Sequence, residues 1–182
     1  MGPTGSGKGT LEAHVLALHP EIVMPVTATT REPRPGEIDT KDYYFFTREE
    51  FEQKAAEGFF LETATYGGNY YGTPKAEVLP ALEAGKLVLL EIEVQGIRQL
   101  CTIIPAEDRI IVYVDAGSWD DMERRVRARA PMSEEELEKR KKRYEDELSF
   151  KAQADKIIYN NDGELAGAKA AFADLIQSVL SS

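Results

Sequence analysis

The run Gly2-Pro3-Thr4-Gly5-Ser6-Gly7-Lys8-Gly9-Thr10 stands directly ahead of an apolar helical pattern in which Leu11, Val15 and Leu18 recur on one face. Few local patterns constrain a chain as tightly. A glycine-rich turn that opens a helix leaves backbone N–H groups converging on one point at the positive end of the helix dipole, and such a point binds anions. Gly2, Gly7 and Lys8 meet the G-x-x-x-x-G-K spacing of a phosphate-binding loop, whose lysine reaches the β/γ-phosphates of a nucleotide. The hydroxyl residue usual directly after the lysine is replaced by Gly9, so Thr10, one step on, is the hydroxyl available to a Mg2+ shell, directly or through water. Such a loop joins a buried strand to its helix. Only Met1 precedes it here, so that strand is expected to be missing from the chain.

At 182 residues with 42% apolar residues, the chain suffices for one compact domain with small insertions. Its formal net charge of −10 sets an overall field that repels nucleic acid and anionic membranes, so neither is expected as a partner. The cations that exist are concentrated over 31–41 and 124–143, which points to specific anion sites. Cys101 is the only cysteine, which excludes an intramolecular disulfide and a cysteine-rich metal site. His14 and His19 have no second ligand at metal spacing and are expected to be structural. There is no secretory pattern and no apolar run of membrane-spanning length, so a cytoplasmic protein is expected. A monomer and a homo-oligomer are equally compatible with the sequence.

Periodicity predicts helices over 8–18, 48–57, 74–84, 94–103, 119–129, 133–152 and 164–180. Ser133 with Glu136 forms a capping box for the sixth, and Leu165, Ala168, Phe172, Leu175, Ile176 and Val179 are expected inward on the last. Strands are expected over 21–29, 43–46, 59–66, 87–93, 109–114 and 156–159, the fourth being the clearest, with a turn at Gly67-Gly68. Strands alternating with helices mean an α/β fold with a parallel sheet covered on both faces. The short aromatic strands after Thr29 and the charged helices over 119–152 break that rhythm and read as two insertions.

Thr29-Thr30-Arg31-Glu32-Pro33-Arg34-Pro35-Gly36-Glu37, followed by Asp42-Tyr43, carries arginines three apart on a proline-stiffened loop. That is a forked clamp suited to a phosphate monoester, with the Tyr43 hydroxyl as a further donor. Gly68-Asn69-Tyr70-Tyr71-Gly72-Thr73 supplies another tyrosine and a hydroxyl at a tight turn. Glu91 and Glu93 share a face at the carboxyl end of the expected strand 87–93, where α/β proteins bind their ligands.

With these blocks in this order, the chain resembles the guanylate kinase family from position 2 to about 180. The resemblance implies a P-loop three-layer α/β/α parallel core sheet (1–29, 74–118 and 153–182), a GMP-binding subdomain (30–73) and a helical lid (119–152). It implies transfer of the ATP γ-phosphoryl to GMP, giving ADP and GDP, with Mg2+. ATP would be held by Gly2, Thr4, Gly5, Ser6, Gly7, Lys8, Gly9 and Thr10, with Asn160 near the adenine. Arg31, Arg34, Tyr43 and Tyr71 would hold the GMP phosphate, with Glu37 orienting the arginines. Glu62, Thr73 and Thr27 would meet the guanine, the Thr73 hydroxyl facing O6. Glu91 and Glu93 stand where the family carries a carboxylate pair, often Asp, and would reach Mg2+ or the clamp through water. Arg125, Arg129 and Arg140 match the lid arginines and, with Lys8, would be catalytic. The chain departs from the family at Ala130-Pro131-Met132, where Gly-Thr-Asp/Glu is usual, and at Lys141, where leucine is common. Two rival readings are a ribose bisphosphate kinase on the same scaffold and a non-catalytic guanylate-kinase-like module that binds phosphopeptides. Glu62 with Thr73 speaks against the first, and Lys8 with the lid arginines against the second.

Overall fold

The structure is a computed structural model and describes residues 1–129 and 132–181, with the backbone alone at Arg129. Its elements in chain order are α1 (Lys8–Leu18), β1 (Ala28–Thr29), β2 (Tyr44–Phe45), α2 (Arg48–Ala56), β3 (Phe60–Tyr66), β4 (Asn69–Pro74), α3 (Lys75–Glu83), α4 (Val94–Ile103), β5 (Val112–Asp115), α5 (Trp119–Arg129), α6 (Glu134–Phe150), β6 (Lys156–Tyr159) and α7 (Leu165–Leu180). They form two compact units, one of Glu21–Ala106 and one of Met1–Pro20 with Glu107–Ser182. Among the described residues no helix is long and apolar enough to cross a membrane.

In the unit Glu21–Ala106, a four-stranded mixed sheet runs in the order β2-β1-β4-β3. β3 and β4 form an antiparallel hairpin closed at Gly67-Gly68, and its register pairs Glu62 with Thr73. Directly paired residues project to the same face, so this register brings a carboxylate and a hydroxyl together. α2 starts at Thr47, whose side chain and that of Glu50 complete a reciprocal capping box. Phe51 of α2 stacks on Phe60 with ring centroids 4.4 Å apart, and Ala28 closes this small core. Leu61, Val78 and Leu100 form a second core from β3, α3 and α4.

α4 does more than bury an apolar face. Gln99 accepts from Thr63 N–H at 3.1 Å and donates to Thr63 C=O at 2.6 Å. Gln95, one turn earlier, does the same with Thr65 at 3.3 Å in each direction. β3 is an outer strand of its sheet. Two side-chain amides therefore stand in for the ladder that a further strand would provide.

In the other unit, β5 and β6 pair in parallel from Val112↔Lys156 to Asp115↔Tyr159. Met1 lies alongside β5, its amino group donating to Val112 C=O at 2.8 Å and its carbonyl accepting from Val114 N–H at 2.9 Å. α1 packs on α7 through buried Leu11 and Val15 on one side and Ala168, Phe172 and Ile176 on the other. Leu165 and Leu18, expected inward, are 41% and 54% exposed. Both lie at helix ends, where the apolar face runs past its partner.

Three strands differ from expectation. The strand expected over 21–29 is reduced to β1 and an isolated parallel bridge between Val23 and Val88. Pro25 has no N–H to offer a ladder, and Val26 N–H goes to Glu77 Oε2 at 3.3 Å. The segment 87–93, expected to be the clearest strand, pairs only through that bridge, with hydrogen bonds of 3.0 Å and 2.9 Å around Val23. The strand expected over 109–114 is Val112–Asp115. The fold is thus mixed α/β, and among the described residues the parallel pairing in these segments consists of β1–β2, β5–β6 and the Val23–Val88 bridge.

Replacing Gln99 by Ala removes both hydrogen bonds to Thr63 and should lower unfolding stability by about 1 kcal/mol, the net worth of hydrogen bonds whose partners regain water. Urea denaturation of the two proteins measures this, and equal midpoints would show that the amide clip does not hold α4.

Candidate active site

The glycine-rich loop bends through positive φ at Gly5 and Gly7, each at 91°, before α1 begins. Gly7 is the N-cap, and its carbonyl accepts from Thr10 N–H at 3.0 Å and Leu11 N–H at 3.1 Å. No side chain caps α1 and no acidic residue lies in its first turn, whereas α2 and α6 both open with a capping box and glutamates. The positive end of the α1 dipole thus meets neither a capping side chain nor an acidic residue, a setting that favours an anion. Lys8 Nζ donates back to Gly2 C=O and, at 3.3 Å, to Pro3 C=O, which holds the ammonium over the loop.

Beneath the loop lies Asn160, directly after β6 and 6% exposed. Its side-chain amide donates to Ser6 C=O at 2.7 Å, and a Cβ on Gly7 would run into the same amide. Asn160, expected near an adenine, is here a buried support for the loop. The fully buried Ser6 hydroxyl has no hydrogen-bond partner among the described residues. Thr4, Gly9 and Thr10 are exposed.

Arg125 reaches the same place from α5. It donates to Asp162 Oδ1 at 2.9 Å, to Asn160 C=O at 3.0 Å and to Gly5 C=O at 3.5 Å. Asp162 also pairs with Arg124, and these two guanidinium groups hold its carboxyl below the usual range. Arg140 is half-buried on α6 and Lys141 beside it is exposed. The Arg129 side chain and the departure at Ala130-Pro131 lie outside the described residues; Met132 is half-buried.

The unit Glu21–Ala106 gathers the remaining candidates into two groups. In the first, Arg31 makes a two-pronged ion pair with Glu37, Nη1 to Oε2 at 3.0 Å and Nη2 to Oε1 at 2.9 Å. Glu37 Oε2 also accepts from Arg34 N–H at 2.7 Å, so one carboxylate ties both ends of the Arg31–Arg34 loop. These bonds hold the Glu37 carboxyl below its ordinary range and raise the Arg31 guanidinium. The Arg31 guanidinium lies 5.4 Å from the Tyr43 ring centroid, and the Tyr43 and Tyr71 rings meet edge-on at 6.4 Å. Burial, the neighbouring Tyr71 and the charge of Glu91 push the Tyr43 hydroxyl up, so it stays a donor. Arg34 is exposed.

In the second group, Thr73 Oγ1 donates to Glu62 Oε1 at 2.6 Å. Glu62 is 5% exposed and Thr73 fully buried. Burial raises the Glu62 carboxyl above its ordinary range, the hydrogen bonds from Thr73 oppose this, and the nearby Glu93 charge adds to it. Because the Thr73 proton is given to Glu62, donation to a base O6 requires that hydroxyl to turn. Thr27 is half-buried just before β1, its carbonyl accepting from Tyr44 N–H at 2.9 Å. Glu91 is exposed and Glu93 is the N-cap of α4, so they reach Tyr43 and Glu62 from an extended segment and not from a strand.

Local pattern missed several supporting residues. Asp162 holds Arg125, Gln95 and Gln99 hold α4, and Gly96 lies against the Glu62 carboxylate. Only Gly96 left a mark in the sequence, as a glycine inside the first turn of an amphipathic helix, where close packing is the usual reason. Among the described residues there is no cluster of three or more His, Cys, Asp or Glu side chains able to cage a metal ion. Mg2+ keeps much of its water and rides on phosphate oxygens, so the exposed Thr10 hydroxyl in the first turn of α1 fits an ion carried in with a nucleotide.

The guanylate kinase family profile matches residues 1–178. The guanylate kinase of Nostoc sp. is 44% identical over 165 residues, which cover 91% of this chain and 82% of that protein. The guanylate kinase of Cereibacter sphaeroides is 43% identical over 164 residues, covering 90% and 78%. The crystal structure of guanylate kinase from Anaplasma phagocytophilum superposes with a TM-score of 0.76 at 26% identity, over 97% of this chain and 82% of that one. With an anion-ready loop, an arginine clamp and a buried Glu–Thr pair matched by likeness along its length, the chain belongs to the guanylate kinase family.

Proposed function

We propose that the protein is an ATP:GMP phosphotransferase that uses Mg-ATP and yields ADP and GDP, in keeping with its family. The observation that carries this is the buried Glu62 carboxylate held by Thr73. Guanine presents N1–H and the N2 amino group as adjacent donors, and one carboxylate accepts both. Adenine offers an acceptor at N1 and no 2-amino group, so it would leave the carboxylate buried and unpaired. Sites built on such bonds discriminate by about 10⁴ or more. A ribose bisphosphate gives the pair nothing to bind.

The remaining roles follow from charge. Arg31, braced by Glu37, with Arg34, Tyr43 and Tyr71 takes the GMP phosphate. Thr27 lines the base side, and Glu91 and Glu93 act through water. The loop from Gly2 to Thr10 and Lys8 take the ATP phosphates, on the support of Asn160. A GMP phosphate oxygen attacks the γ-phosphorus in line as the bond to the β-phosphate oxygen breaks, with no covalent enzyme intermediate. Lys8, Arg125, Arg129 and Arg140 supply positive charge to the oxygens on which charge develops. Mg2+ would neutralise the β/γ oxygens, with Thr10 in its water shell. Residues 30–73 serve as the GMP-binding subdomain and 119–152 as the lid, and the cytoplasm, where both nucleotides occur, is the setting.

A coupled ADP-release assay with Mg-ATP should register turnover with GMP and not with AMP or ribose 1,5-bisphosphate; silence with GMP would overturn the proposal. Lys8→Met should cut turnover by about a hundredfold or more while leaving GMP binding by calorimetry unchanged. An equal loss of GMP affinity would place Lys8 on the acceptor side instead.

The raised Glu62 carboxyl predicts two opposite pH effects. A carboxyl raised in the fold holds more protons when folded than when unfolded, so its contribution to stability is full below the unfolded value and is lost as pH rises through the folded one. Guanine donors favour the carboxylate, so KM for GMP should rise as pH falls through the raised Glu62 value. Glu62→Gln should lose that dependence, keeping only the one due to the phosphate of GMP itself, and should relax selection against AMP. Identical KM–pH profiles in the two enzymes would remove Glu62 from base reading.

A further inference from the structure

Gly96 is buried in the first turn of α4, a position at which glycine is a poor helix former. Its backbone is helical, so no turn calls for it. What calls for it is Glu62. A Cβ built on Gly96 would collide with Glu62 Oε2 and come within 2.8 Å of the carboxyl carbon and 3.3 Å of Cγ. The other oxygen, Oε1, is taken by Thr73. The carboxylate is thus wedged between a hydroxyl on β4 and the bare backbone of α4.

α4 is held at that distance by its glutamines. Gln95, the residue before Gly96, and Gln99, one turn on, clamp the backbone of Thr65 and Thr63, which alternate along β3 with Glu62. Ile97 and Leu100 bury the adjoining helix face. The approach of α4 to β3 is therefore fixed on both sides of the contact, and the helix has little freedom to retreat from a larger residue.

We propose that Gly96 is a specificity-determining positioning residue: its missing side chain leaves the space that the Glu62 carboxylate occupies, and so sets how the guanine N1–H and N2 amino groups are met. This rests on the assignment of Glu62 as the base-reading carboxylate. The three atoms nearest to an added methyl all belong to the flexible Glu62 side chain. The fold can therefore accept it by swinging the carboxylate aside, and the loss falls on recognition. A misplacement of about 1 Å at a reacting or binding group costs up to about a hundredfold.

The test is steady-state kinetics of Gly96→Ala with its melting temperature. KM for GMP should rise about tenfold or more and the GMP/AMP preference should fall, with KM for ATP and the melting temperature close to the parent. Glu62→Asp, one methylene shorter, should impair the parent enzyme yet restore part of the GMP affinity when combined with Gly96→Ala. KM for GMP within twofold of the parent would overturn the proposal. So would a lowered melting temperature with both substrates affected alike, the mark of a purely structural glycine. Glu62→Gln separates the two levels. If it shifts the GMP/AMP preference and Gly96→Ala does not, the Gly96 role alone fails; if Glu62→Gln shifts nothing, the base-reading assignment fails and takes the Gly96 role with it.

Discussion

A carboxylate removed from water has to be compensated where it sits, and the surroundings of Glu62 follow from that demand. The β3–β4 register sets Thr73 opposite it, and a slip of one residue would carry the hydroxyl to the other face of the hairpin. The first turn of α4 lies against the second oxygen, where the positive end of the helix favours negative charge. Compensation is partial, since burial still outweighs the bonds from Thr73 and the carboxyl titrates high. The group therefore has room to gain from two further donors, which is the physical basis on which we propose it as a reader of a base edge.

The two parts proposed to take phosphate would meet the same chemical problem by different means. The loop before α1 relies on backbone N–H groups and a helix end kept clear of acidic residues. The clamp relies on a guanidinium fixed in advance by Glu37 on a segment stiffened by Pro33 and Pro35. In both, the ordering of the site is met during folding and not at binding, which is how preorganised sites gain affinity. Arg125 departs from this division: it lies on the same support as the loop, sharing Asn160 and Gly5 carbonyls, and Asp162 fixes its direction.

Much of this was legible in the sequence wherever a local rule decides the outcome. The capping residue Ser133, three before Glu136, announces α6. Arg31, Glu37 and Thr73 stand in motif blocks and Glu62 is implied by the family resemblance; the structure pairs Arg31 with Glu37 and Thr73 with Glu62. Legibility failed where the outcome depends on a distant partner. Apolar runs over 21–29 and 87–93 report burial, but a ladder needs facing N–H groups, and Pro25 and the diversion of Val26 to Glu77 remove them. The resemblance places Asn160 near an adenine, and nothing local in the sequence reveals that its amide donates to the Ser6 carbonyl. Gln95 and Gln99 carry no local signal for their role, since nothing in the sequence reveals an outer strand beside them.

The same glutamines have a consequence for how the protein behaves among copies of itself. An outer strand with open N–H and C=O groups is a template for aggregation. Here the outward groups of Thr63 and Thr65 are occupied by side chains, and the opposite border of the sheet, β2, is a strand of two residues. The sheet closes its long border with α4, so the contact that brings Gly96 against the Glu62 carboxylate also denies foreign backbone a place to add.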